Sequence, residues 1–152
     1  MKDRFPCRQW SSLWCTTLWD FQLWQADVVL VYLGTNDFHL GSPSGAEFQS
    51  AYVEFLMLVR SKYPQAMVLC IVPLLYSCSQ ESKWQTMLES LTEAVKGLED
   101  KKVRLQFTGP PDAPWLDCNA DFTDGIHLTA LGHLKFAAEL VPRLTAELRK
   151  LE

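Results

Sequence analysis

The tetrapeptide Gly34-Thr35-Asn36-Asp37 places an amide and a carboxylate directly after the apolar run VVLVYL at 28–33. Such a run, rich in Val and Leu, predicts a buried strand, so the polar residues lie where this strand leaves the core. They can form the rim of a site. The other interpretation is a plain strand-to-loop turn, in which Gly34 supplies backbone freedom and Asp37 ties the loop with its side chain.

A second group of reactive residues lies in the segment DGIHLTALGH at 124–133. Asp124 and His127 are close enough in sequence to meet through a local turn, so that the carboxylate holds one ring nitrogen. The other nitrogen is then available as a general base. Alternatively, His127 only bonds to the backbone at the start of a helix. We expect His133, within that helix, to serve packing or to face solvent.

Three apolar segments predict strands, at 27–33, 66–75 and 103–107. Between the first two, Ser44 and Glu47 form a predicted capping box, and a helix follows until Pro64. A second helix with an apolar stripe is predicted between the second and third strands, over the residues Trp84, Leu88, Leu91, Val95 and Leu98. A last helix is predicted from about residue 130, with Pro142 kinking or splitting it.

Strands that alternate with helices predict an α/β fold, in which a parallel sheet lies between layers of helices. The ligand site of such a sheet lies beyond the carboxyl ends of its strands. Gly34 to Asp37 follow the first strand, and the segment 124–133 follows the third. If the two polar segments belong to one site, we expect Asn36 and His127 at the same rim, facing one shallow pocket.

The composition fits one globular domain, with 152 residues, 48% of them hydrophobic and 21% charged. The net charge is −4, and no basic run is longer than the Lys101-Lys102 pair, so neither nucleic acid nor an acidic membrane is expected as a partner. We find no signal peptide or transmembrane segment, and the compartment stays undetermined. The five cysteines contain no CxxC pair, and we expect structural thiols.

Taken together, the GxND and DxxH motifs resemble those of the SGNH (GDSL) family of ester hydrolases. The stretch WDFQLWQADVVLVYLGTNDF at 19–38 is most similar to the carbohydrate esterase family two acetylesterases. The resemblance implies a flavodoxin-like, three-layer α/β/α fold without a cofactor or metal. It also implies that Asn36 donates to an oxyanion hole, His127 is the base and Asp124 orients its ring, with Gly34 and Asp37 in supporting roles.

The sequence also departs from this family. The family's nucleophile is the serine of a Gly-Asp-Ser block after the first strand, and this chain has no such block. Ser11 and Ser12 follow no strand, so the nucleophile is unknown. We expect residues 1–18 to be an atypical amino-terminal segment. Residues 19–152 then form a partial esterase domain, the carboxyl-terminal portion, which lacks the first strands of the family fold.

In the family's usual sheet order, the missing first strand lies beside the strand that precedes GTND. The run at 28–33 agrees with this placement, because it has no alternation and is predicted to be buried on both faces. If nothing pairs with this strand, it forms an exposed edge that recruits another chain. A competing possibility is that residues 1–18, with Trp10 and Trp14, cover the edge.

Three functions remain open at this point. The first is a serine ester hydrolase that deacetylates carbohydrate or a similar small acyl ester, with a nucleophile supplied by an upstream segment. The second is a catalytically inactive truncated isoform or pseudoenzyme that binds acylated sugar through Trp115 and neighbouring aromatic residues. The third is a flavodoxin-like binding or signalling domain with two coincidental turns, although no phosphate-binding glycine-rich loop is present to favour it.

Overall fold

The computed structural model describes residues 19–73, 81–109 and 114–150. The strands in these ranges are β1 (Val28–Val31), β2 (Met67–Ile71) and β3 (Val103–Gln106). The helices are α1 (Thr35–Leu40), α2 (Gly45–Lys62), α3 (Glu81–Gly97) and α4 (Ala130–Leu148). None of these helices is both long and apolar enough to cross a membrane. The predicted segment 1–18, with Ser11 and Ser12, lies outside the described residues.

Strand β2 lies between β1 and β3, and both pairings are parallel. All five of its residues are buried, each with 2% or less of its surface exposed. Because side chains alternate along a strand, Val68 and Cys70 contact one core while Leu69 and Ile71 contact another. The predicted parallel sheet with helices on both faces is confirmed.

The core on one side of the sheet is formed by α2 and α3. Its buried residues from these helices are Phe48, Tyr52, Leu56, Val59, Met87, Leu91 and Ala94. The predicted capping box of α2 is confirmed, since the Ser44 hydroxyl accepts from the Glu47 N–H and the Glu47 carboxylate accepts from the Ser44 N–H. The helix therefore begins where the sequence predicts it to begin.

Helix α4 packs on the opposite face of the sheet, where Leu140, Phe136 and Leu144 contact Leu69 and Ile71. It runs unbroken through Pro142, so the prediction that this proline splits the helix is wrong. A proline removes one N–H, whose partner would be the carbonyl four residues earlier. That residue, Ala138, and Pro142 itself are both exposed, so water can satisfy the carbonyl.

The prediction that the first strand is buried on both faces is wrong for this chain. Val31 is 3% exposed, but Leu30, which points to the other face, is 47% exposed. The reason is the position of α4, whose buried residues cover Leu69 and Ile71 of β2. On α4 itself, Leu134 and Val141 are also exposed apolar residues. Among the described residues, nothing therefore buries Leu30 on the α4 side of β1.

The two cysteines that the structure characterises differ. Cys70 is a free thiol in β2, and burial raises its pKa to about 11, as expected of an inert structural thiol. Tyr52 lies beside it, and burial raises the pKa of this hydroxyl as well. Cys118 forms a disulfide bond, so the expectation of a structural thiol is wrong there. Unlike Cys70, it lies in a half-buried loop rather than in an apolar strand.

Replacing Gly34 with alanine should destabilise the fold. Gly34 has a φ of +124°, and a Cβ there would lie 3.0 Å from Met87 Sδ and 3.1 Å from Phe48 Cζ. Backbone strain and overpacking together should cost about 2 kcal/mol of unfolding free energy. Denaturant unfolding measures this loss. Gly97→Ala is the matched control, because nothing lies within 4 Å of its added Cβ. An equal loss in both variants would contradict the argument.

Chains should associate through β1, because its outer backbone groups have no strand partner among the described residues and Leu30 is exposed beside them. Size-exclusion chromatography with light scattering should show oligomers that Leu30→Lys shifts toward monomer. Leu23→Lys, at a residue exposed by 71% in the turn before β1, should leave the distribution unchanged. A monomeric parent whose amides at 28–31 resist hydrogen exchange would show that another segment covers this edge.

Candidate active site

The GTND segment opens a helix rather than a loop. Gly34 is the N-cap of α1, and its carbonyl accepts a hydrogen bond from the Phe38 N–H at 3.2 Å. Phe38 is 1% exposed and packs edge-to-face on Phe48, with 4.9 Å between ring centroids. Because two residues of helix correspond to a rotation of about 200°, Asn36 lies on the face opposite Phe38. Apolar packing therefore turns Asn36 outward.

Asn36 and Asp37 are both exposed at the start of α1. Within the described part of the chain, neither side chain makes a hydrogen bond. The predicted loop tie by the Asp37 carboxylate is therefore absent. Its backbone carbonyl instead accepts from the Gly41 N–H at 3.1 Å and closes the helix. In this structure, Asp37 therefore supports the helix through its backbone carbonyl and not through its side chain.

A residue that the sequence did not indicate holds the end of α1. Lys83 projects from α3, and its Nζ donates to the carbonyl oxygens of Phe38 at 2.9 Å and Gly41 at 3.3 Å. These carbonyls lie at the carboxyl end of the helix, where a cation is also favoured by the helix dipole. Lys83 therefore connects the helix that carries Asn36 to the rest of the domain.

Asp124 and His127 form the predicted hydrogen bond. Asp124 Oδ2 lies 2.7 Å from His127 Nδ1, and Oδ1 accepts the backbone N–H groups of His127 at 2.8 Å and Ile126 at 3.0 Å. Hydrogen bonds from these groups lower the pKa of Asp124 to about 2. The backbone N–H of His127 has the largest effect, followed by the His127 ring and the Ile126 N–H. Since an ionised carboxylate can only accept, Nδ1 must carry the proton, and Nε2 of the neutral ring is left as the basic nitrogen.

The two residues lie at the tip of a short hairpin-like loop. The Thr123 N–H donates to the His127 carbonyl at 2.8 Å, and Phe122 pairs with Leu128 in an antiparallel bridge. Gly125 turns the chain at the tip with a φ of +79°. The His127 side chain is 76% exposed. The ring bonds to Asp124, so the alternative of a histidine bonded only to backbone at the start of a helix is wrong.

The N-cap of α4 is a different residue, Thr129, whose hydroxyl accepts from the Gly132 N–H at 3.0 Å. His133 lies on the helix with an exposed side chain, in agreement with the expectation for it.

The parallel strand order agrees with the prediction that Asn36 and the Asp124–His127 pair lie at the same edge of the sheet. Asn36 follows β1, the pair follows β3, and the carboxyl ends of parallel strands meet at one edge. A shared pocket stays a prediction. Within the described part of the chain, the ring of His127 makes its hydrogen bond to Asp124 alone, and no serine reaches it. The same residues contain no cluster of three His, Cys, Asp or Glu that could hold a metal.

Trp115, an expected sugar contact, packs inside the domain. Its backbone N–H donates to the Thr108 carbonyl at 3.1 Å, and its ring lies edge-to-face on Phe136 with centroids 5.7 Å apart. The guanidinium of Arg143 covers the ring at 4.6 Å from its centroid. This ring therefore serves to hold α4 on the sheet, and the face under Arg143 is unavailable for stacking on a sugar.

Comparison with known proteins finds similar carbohydrate-active enzymes. Cellulase/esterase CelE of Acetivibrio thermocellus is 26% identical over 148 residues, which cover 97% of this chain and 17% of that protein. A family two carbohydrate esterase from Clostridium thermocellum, solved in complex with cellohexaose, superposes with a TM-score of 0.74 and 26% identity. That match covers 88% of this chain and 39% of the other. This chain thus spans well under half of either relative.

A family two carbohydrate esterase from Cellvibrio japonicus shares the fold, with a TM-score of 0.65 and 23% identity over 89% of this chain and 37% of the other. The sequence profile of the GDSL-like lipase/acylhydrolase family matches residues 8–135, which is most of the chain and includes both motifs. The chain therefore belongs to the GDSL-like lipase/acylhydrolase family.

Proposed function

We propose that this chain supplies the base, the orienting carboxylate and an oxyanion-hole donor of a serine ester hydrolase. The observation that carries the proposal is the hydrogen bond of 2.7 Å between Asp124 and His127, which holds the proton on Nδ1. Family membership and the place of Asn36 after β1 support it. The proposed reaction class is carboxylic ester hydrolysis, without a metal or cofactor.

In this mechanism, His127 Nε2 takes the proton from a serine hydroxyl as its oxygen attacks the ester carbonyl. Asp124 stabilises the imidazolium that forms. The side-chain amide of Asn36 donates to the carbonyl oxygen as it becomes negative, and removing one such donor typically costs about 2.7 to 4 kcal/mol. When the carbonyl re-forms, the alcohol leaves with the proton from His127. Water then releases the acyl group by the same steps.

We propose a carbohydrate ester, or a similar small acyl ester, as the substrate. The support is the similarity to carbohydrate esterases, one of which was solved with cellohexaose. Acetyl is the acyl group that the family two acetylesterases suggest. The similarity covers only part of each relative, so we propose the ester-hydrolysing activity of these longer proteins for this chain by analogy.

The nucleophile is the part that this chain does not provide in our proposal. No Gly-Asp-Ser block occurs in the sequence, and the ring of His127 bonds only to Asp124 within the described residues. We infer that residues 19–152 are a partial esterase domain, completed by a segment with the serine. The exposed His127 ring without a nucleophile beside it equally favours a second candidate, an inactive binding module derived from an esterase.

The chain alone should hydrolyse an activated acetyl ester, such as p-nitrophenyl acetate, no faster than its own His127→Ala variant. The physical reason is that a base without a serine has no hydroxyl to activate. His133→Ala is the control for surface imidazole catalysis, because this histidine is also exposed. The measurement is the initial rate of ester hydrolysis by each purified protein. Turnover lost only in His127→Ala would reveal a nucleophile within the chain, with Ser11 and Ser12 to be replaced first.

When a family segment with the Gly-Asp-Ser block is joined to the chain, His127→Ala should lower kcat roughly 10⁴-fold or more, because triad members act as a unit. His133→Ala should again have no effect. A joined protein without His127-dependent turnover would favour the binding module over the esterase.

The loop around Asp124 should unfold locally in acid. Its pKa is lowered from 3.8 to about 2, so its hydrogen bonds contribute fully above 3.8 and are lost as the pH falls toward 2. NMR should show the amide resonances of Ile126 and His127 moving over this interval. Asp124→Asn should abolish the movement at both amides. If these amides titrate in Asp124→Asn as they do in the parent chain, the titration belongs to another carboxyl group.

A further inference from the structure

The base of the hairpin that carries His127 is built around a buried carboxylate. Asp121 is fully buried, and its Oδ2 accepts from the Asp117 N–H at 2.8 Å and from Lys135 Nζ at 3.0 Å. Its Oδ1 lies 2.7 Å from the same Nζ, as an ion-pair contact without hydrogen-bond geometry. A buried charge is retained only when it is paired, so this pair is a fixed point of the loop.

The backbone of Asp121 holds the second strand of the hairpin. Its carbonyl accepts from the Thr129 N–H at 2.8 Å, and two residues further along the Thr123 N–H donates to the His127 carbonyl at 2.8 Å. These two bonds are successive rungs: His127 itself takes part in the second, and Asp124 lies directly beyond it. The position of the dyad therefore depends on the position of Asp121.

The fit between Asp121 and α4 leaves no room for adjustment. A Cβ on Gly132 would lie 2.3 Å from the Asp121 carbonyl oxygen, so the helix backbone touches the hairpin directly. Lys135 lies one turn further along α4. The hairpin is thus held against the first two turns of the helix by close backbone contact and by one ion pair.

We propose that Asp121, paired with Lys135, is a positioning residue that sets the orientation of the His127 ring. It touches neither the ring nor the carboxylate of Asp124 and acts through the two backbone rungs. The inference rests on the proposed function for its consequence. Its test reads the ring itself and needs no substrate.

The test compares Asp121→Asn with the parent chain by NMR. The variant should raise hydrogen exchange at the Thr123 and Thr129 amides about tenfold or more, because the anchor is lost. The ¹⁵N shifts of the His127 ring should change from the Nδ1–H tautomer toward a mixture of both tautomers. Amides of α2 should exchange as in the parent, which separates a local role from a loss of global stability.

Two variants of Lys135, the ion-pair partner of Asp121, make the test more specific. Lys135→Gln should reproduce both changes, whereas Lys135→Arg, which keeps the cation, should restore the parent values. Glu139→Gln is the matched control, because it removes a charge from the same helix by breaking the exposed pair with Arg143. It should leave the ring and the two amides unchanged. If Asp121→Asn does not fold, Lys135→Gln decides alone, since glutamine is readily accommodated in a helix.

A parent-like ring tautomer and parent-like exchange at Thr123 and Thr129 in Lys135→Gln would overturn the proposal. So would an equal rise of exchange at every amide, because that shows only a structural role. Neither outcome depends on ester hydrolysis. A chain without esterase activity but with the tautomer change would contradict the proposed function and leave the positioning role intact.

Discussion

The burial of β2 on both faces is the constraint on which the other elements depend. A strand whose five residues are all buried needs a helical layer on each side, and α2 with α3 provides one while α4 provides the other. Parallel pairing on both edges of β2 then brings the carboxyl ends of β1 and β3 to one rim. Asn36 comes shortly after β1, and the Asp124–His127 pair lies in the segment between β3 and α4, so we expect both groups near this rim.

The two parts of the candidate site are built from elements that are local in sequence but fixed by distant contacts. The Asp124–His127 bond spans three residues, and its hairpin closes within nine, from Asp121 to Thr129. Yet the hairpin contacts Lys135, on a helix that packs on the sheet. The chain thus prepares each group locally and orients it through the tertiary fold.

This division explains how far the sequence alone leads. The strands, the capping box and the Asp124–His127 contact follow from short-range patterns. The bounds of β1 and β3 are predicted to within two residues, whereas β2 ends at Ile71, four residues before its predicted end. Lys83 reaches α1 across 45 positions, and no periodicity signals such a bond. The exposure of Leu30 and the unbroken helix at Pro142 were missed for the same reason. Burial of a strand face and solvation of one carbonyl depend on which element packs there, and local composition does not contain that information.

The proposed oxyanion donor, Asn36, and the proposed base, His127, are held in place by different kinds of interaction. Asn36 depends on apolar packing, since Phe38 lies in the core and a Cβ on Gly34 would lie 3.0 Å from Met87 Sδ, closer than ordinary contact. The base depends on charge, through Asp124 and the buried carboxylate behind it. Core volume therefore governs one part of the site, while acid and the loss of a cation govern the other.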